Sequence, residues 1–147
     1  MEQFDIPICL FIFQRKDSVE KIIRRISEVK PKKIYLMSDQ GRNNEEIERV
    51  IECRQAAEKA IDWECQVIRD YAVKNRGVFG NIGLGAMRVF EHEETAIFLE
   101  DDNLPEVTFF QYCQEMLERY KDNDRIVWVC GTNYLGKYQN CTNDSYM

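Results

Sequence analysis

Three consecutive carboxylates, Glu100-Asp101-Asp102, stand directly after the apolar run Ala96-Ile-Phe-Leu99. While the backbone stays extended, Glu100 and Asp102 point to one side and Asp101 to the other. Carboxylates held this close repel, so a cation or strong hydrogen-bond donors must compensate. Hard oxygen ligands select Mg²⁺ or Mn²⁺, which commonly bind through one or two carboxylates plus the phosphates of a substrate. A solvated acidic turn at a sheet edge fits the same residues, and position alone leaves both roles open. Further residues with chemistry to offer also follow apolar runs: Gln14-Arg15, Ser38-Asp39 through Arg42, Arg69-Asp70 through Arg76-Gly77, and Gly131-Thr-Asn133. Carboxylates and arginines thus recur at one kind of position.

The elements that must hold them are legible from periodicity. Ile8-Cys-Leu-Phe-Ile-Phe13 is six apolar residues without alternation, as expected of a strand buried on both faces. Asp17 and Glu20 stand at capping-box spacing before Val19, Ile22, Ile23, Ile26 and Val29 at helical spacing, with Pro31 ending the segment. Lys33 to Ser38 reads as a second strand, closing on Asp39-Gln-Gly41. Asn43 with Glu46 starts a second helix, and Cys65 to Arg69 is the third strand. A helix is expected from Asn81 to His92, with Ile82, Ala86, Val89 and Phe90 inward. Thr95 to Leu99 is the fourth strand. Thr108 and Gln111 cap a helix with a stripe of Phe109, Cys113, Met116, Leu117 and Tyr120, and Arg125 to Cys130 is a fifth strand. Five alternations predict a single α/β domain over residues 1–147, Rossmann-like, with a mostly parallel sheet and helices on both faces. In such sheets ligands bind beyond the carboxyl ends of the strands, where strand order reverses.

Composition sets limits on partners. The chain has 147 residues and a net charge of −6, a poor match for nucleic acid or anionic membrane. An anionic ligand would need a local basic pocket or a bridging cation. No secretory signal and no apolar run of transmembrane length is visible, so a cytoplasmic location is expected. The six Cys form no Cys-x-x-Cys pair and the chain has one His, which points to free thiols rather than zinc or disulfides. The sequons Asn140-Cys-Thr142 and Asn143-Asp-Ser145 are taken as accidental. Gly80-Asn-Ile-Gly83-Leu-Gly85 has the wrong spacing for a dinucleotide fingerprint, and no P-loop motif occurs. His92 reads as a solvated helix end, and Trp63 and Trp128 as core or rim.

Several stretches together resemble the nucleotide-diphospho-sugar glycosyltransferases of the GT-A fold, family 2-like members and relatives of N-acetylglucosaminyltransferase I. These are Pro7 to Arg15, Tyr35-Leu-Met-Ser-Asp-Gln-Gly41, and Asn75 to Tyr120, which contains Phe98-Leu-Glu-Asp-Asp-Asn-Leu-Pro105. The resemblance implies a Mn²⁺ or Mg²⁺ ligated by Asp102, with Glu100 and Asp101 contacting the ribose or acting through water. It also implies that Asp39 addresses the nucleoside, Arg15 lines the nucleotide pocket, and Arg76 lies near the base or phosphates. Local sequence alone also admits Asp39 as a turn former with Gly41 and Arg15 as a solvated charge at a helix start. The implied activity is hexosyl or N-acetylhexosaminyl transfer from a nucleoside-diphosphate sugar, UDP favoured, to a glycan, lipid or protein acceptor. Such proteins usually continue well past the point where this chain stops, Met147, so the donor-binding half alone is expected and no catalytic base is assigned. A non-catalytic nucleotide-sugar-binding module is the alternative. A receiver-like signalling domain would place its acidic pair after the first strand, where this chain has Gln14-Arg15.

Overall fold

The computed structural model describes residues 4–132. In chain order the elements are β1 (Ile8–Ile12), α1 (Lys16–Ile26), β2 (Lys33–Ser38), α2 (Asn44–Ala60) and β3 (Gln66–Tyr71). A π-helical turn (Phe79–Gly83) then runs into α3 (Leu84–Phe90), followed by β4 (Ile97–Glu100) and α4 (Val107–Tyr120). The four strands form one sheet in the order β3-β2-β1-β4, and every pairing is parallel. Leu10 lies opposite Leu36 on one side and Leu99 on the other, which fixes the register of the central strands.

Every residue of β1 is buried, because both faces of the sheet are covered. Ile8, Leu10 and Ile12 pack with Val19, Ile22 and Ile23 of α1, Cys53 and Ala57 of α2, and Phe110 of α4. Cys9 and Phe11 point the other way, into a smaller cluster with Tyr35, Met37 and Val89 of α3. The fold is the expected α/β architecture: a parallel sheet with helices on both faces. No helix among the described residues is long and apolar enough to cross a membrane. Cys9, Cys53, Cys65, Cys113 and Cys130 are free thiols. Cys141, Asn133 and the two sequons lie outside the described residues.

Several boundaries differ from expectation. Asp17 lies inside the first turn of α1, which has no side-chain cap, so the Asp17–Glu20 box does not form. An acid there still suits the positive end of the helix. Thr108 likewise lies inside α4, which begins after Glu106, and Phe110 rather than Phe109 is the fully buried aromatic. Asn43 does cap α2, its Oδ1 accepting the Glu46 N–H at 3.0 Å. Phe90 is half-exposed, packing edge-on against Phe98. Residues 125–130 form no strand: Val127 and Trp128 are almost fully exposed, since strand propensity needs a neighbouring ladder to act on.

Candidate functional site

The strand order places the reversal between β1 and β4. There a cleft of about 280 Å³ opens at the carboxyl ends of the strands, lined by Phe11, Phe13, Arg15, Asp39, Arg42, Asn75, Val78, Asn81, Ile82, Glu100 and Asp101 among others. A second cleft, about 340 Å³, lies beside it and shares Phe13, Arg15 and Asp101, adding Gln14 and Arg49. The two recesses therefore meet at the Arg15–Asp101 pair.

Glu100 is the last residue of β4, opposite Phe11, and its side chain lines the first cleft. Asp101 is buried just beyond the strand. Its Oδ2 accepts the Phe13 N–H at 3.1 Å, and its Oδ1 accepts from Arg15 Nη1 at 2.5 Å. Asp102 points outward, its carboxylate about half exposed and 3.5 Å from the same guanidinium. The Asp101 hydrogen bond and charge, with smaller contributions from Asp102 and Glu100, push the Arg15 pKa further up. Donors thus offset the repulsion within the triplet at Asp101, while Asp102 stays accessible. Among the described residues no three His, Cys, Asp or Glu side chains converge on a common ion position.

Asp39, at the exit of β2, is buried and fully engaged with the protein. Its Oδ1 accepts the N–H groups of Gln40 at 2.8 Å and Arg76 at 2.7 Å, and its Oδ2 accepts from Asn75 Nδ2 at 3.2 Å. It works as a clamp that draws residues 75–76 onto the sheet. Gly77 follows at φ +73°, a left-handed backbone that glycine adopts without strain. The Arg76 side chain does not line the cleft. It donates to Asp70 Oδ1 at 2.7 Å, while Arg88 Nε donates to Asp70 Oδ2 at 2.8 Å. Burial pushes the Asp70 carboxyl up, and the bonds from Arg76 and Arg88 outweigh it, holding the group below its ordinary range.

Of the six residues expected at the site, Arg15, Asp39, Glu100 and Asp101 line one cleft. Asp102 sits beside Arg15, and only the Arg76 backbone reaches the group. Three further residues contribute, of which only Arg42 lay in a strand-exit stretch named from sequence. Arg42 grips Glu46 through its backbone N–H and its guanidinium at the cleft rim. Arg54 of α2 donates to the carbonyls of Ser38, Asp39 and Ala72, and lies 4.7 Å from the Tyr71 ring centroid. Its position in an ordinary amphipathic helix gave no signal. Asn81 is buried in the π-helical turn, and an Asn between two glycines inside an apolar helical pattern was a usable sign. No protein-family model, curated protein or solved structure matches this chain.

Proposed function

We propose that this chain is a glycosyltransferase domain that holds a nucleoside-diphosphate sugar, UDP-linked by preference, in the cleft between the β1 and β4 exits. One juxtaposition supports this reading above all. An apolar-walled recess ends at Glu100 and Asp101, and the half-exposed carboxylate of Asp102 stands beside Arg15, which lines the recess. A diphosphate there meets Arg15 on one side and carboxylates on the other, so its charge needs a cation.

The residues present suit Mg²⁺ or Mn²⁺ held by Asp102 together with ligand phosphates, with Glu100 as a neighbouring oxygen donor. They do not suit a cage made of protein alone, since both Asp101 oxygens already accept hydrogen bonds. A bound divalent ion supplies Lewis-acid stabilisation of the departing diphosphate. The chain's own residues do the rest: Arg15 offers donors to the phosphates, Asp101 orients Arg15, and the apolar walls exclude water from the heterocycle. The acceptor is a glycan, lipid or protein hydroxyl.

Calorimetric titration of UDP in the presence and absence of Mn²⁺ tests this. Metal-dependent binding that Asp102→Ala abolishes is expected. An isotherm indifferent to Mn²⁺, or one unchanged in Asp102→Ala, would overturn it. Incubating the purified chain with a UDP-sugar and following release of UDP then separates transfer or hydrolysis from binding alone.

A further inference from the structure

Three buried polar atoms have no hydrogen-bond partner among the described residues: Arg76 Nη1, Asn81 Oδ1 and Arg88 Nη2. Both guanidinium groups are already ion-paired with Asp70. Asn81 differs, being only 6% exposed and set in the cleft wall. An unsatisfied buried amide oxygen destabilises the fold that contains it. It sits in a π-helical turn, a rare feature frequently found at functional sites. The terminal torsion of an Asn side chain is soft, so rotation about it is the route by which the buried oxygen meets a ligand in the cleft. Asp39, at the β2 exit, is not orphaned in this way, because both of its carboxylate oxygens already accept donors, from residues 40, 75 and 76.

We infer that Asn81, not Asp39, reads the heterocycle of the bound nucleotide, its Oδ1 accepting a ring N–H that is flanked by carbonyl oxygens. This rests on the nucleotide reading of the cleft. Uracil presents that edge in its smallest form. Phe11 and Ile82 give the ring apolar walls, and Arg42, two-thirds exposed at the rim, offers N–H donors to carbonyl oxygens. Cytosine carries a lone pair where uracil carries the N–H, so to meet it the Asn81 amide must turn its Nδ2 to the base and leave the buried Oδ1 without a partner, as in the ligand-free chain. The cleft thereby discriminates between two bases of nearly equal shape through one buried acceptor.

The test is a set of titrations with Mn²⁺ present, using UDP, CDP and N3-methyl-UDP. The wild-type chain is expected to bind UDP about tenfold more tightly than either of the others, the scale of one buried hydrogen bond. In Asn81→Leu and Asn81→Ala that preference falls to within about twofold, while metal-dependent binding persists. Ligand-free Asn81→Leu melts no lower than wild type, because an orphaned polar atom has been replaced by an apolar group. Equal binding of UDP and N3-methyl-UDP by the wild-type chain overturns the inference without any variant. So does an unchanged UDP preference in either folded variant, and in both cases the nucleotide reading survives. Failure of the wild-type chain to bind any of the three overturns the inference and the reading together.

Discussion

Arg15 Nη1 donates to Asp101 Oδ1 at 2.5 Å, tying together the exits of two adjacent strands that lie 86 positions apart in the chain. The same carboxylate accepts the Phe13 backbone N–H, so one side chain fixes both the path of the chain leaving β1 and the direction of the Arg15 guanidinium. The pair stands where the two clefts meet. Its two partners are unequal: the Asp101 side chain is 8% exposed and that of Arg15 59%.

That inequality predicts unequal costs. Asp101→Ala leaves the Phe13 N–H without an acceptor and should destabilise the chain by about 1–3 kcal/mol. Arg15→Ala removes the mostly solvated member of the pair and leaves Asp101 its Phe13 N–H donor, so it should cost less, about 1 kcal/mol. Urea unfolding of the two variants checks the order, and equal losses would deny Asp101 its structural role.

Asp39 should behave as a clamp. Replacing it with Ala deprives the Gln40 and Arg76 N–H groups and Asn75 Nδ2 of their acceptor, a loss of roughly 2 kcal/mol or more. Hydrogen exchange localises the effect: the Arg76 amide should lose protection, while the amides of β1 keep theirs. Unchanged exchange at Arg76 would show that Asp39 does not hold residues 75–76 to the sheet.

How far the sequence foretold this arrangement depended on the range of the interaction. β1 and β2 were legible because strands buried on both faces need uninterrupted apolar runs, as Ile8 to Phe13 shows. The acidic triplet was legible because it interrupts such a run. Local capping patterns misled at Asp17 and Thr108, where packing against the sheet set the helix starts instead. The segment 125–130 has strand composition, yet no ladder partner fixes it, and Trp128 stays exposed. Individual roles at the site were the least legible. Whether Asp39 faces a ligand or the loop at 75–76 depends on residues 36 and 37 positions away, and no local pattern encodes that distance.

Acid should loosen the start of α2. The side chain and backbone N–H of Arg42 both donate to Glu46 and hold its carboxyl down from the ordinary value of 4.5 to about 2. Between those two values the unfolded chain takes up a proton that the folded chain refuses. Stability from this group is therefore complete above pH 4.5 and lost as pH falls toward 2. Glu46→Gln should show a smaller drop in the urea midpoint across that window than wild type. An identical slope would mean that other carboxylates carry the acid sensitivity.

The carbonyls at the ends of β2 and β3 depend on Arg54. Its Nη2 donates to Asp39 O at 3.0 Å and Ala72 O at 3.1 Å, its Nε donates to Ser38 Oγ at 2.9 Å, and its guanidinium lies over Tyr71. A planar fork can reach several acceptors at once and still stack, which a single ammonium cannot do. Arg54→Met should cost roughly 1–3 kcal/mol through the orphaned carbonyls, and Arg54→Lys should recover less than half of it. Because Asp39 follows directly on β2, loosening its carbonyl should also disturb the clamp on residues 75–76. Both variants are therefore expected to lose protection at the Arg76 amide in hydrogen exchange. Full recovery of stability and protection by Lys would show that charge alone, rather than the forked geometry, holds the strand ends together.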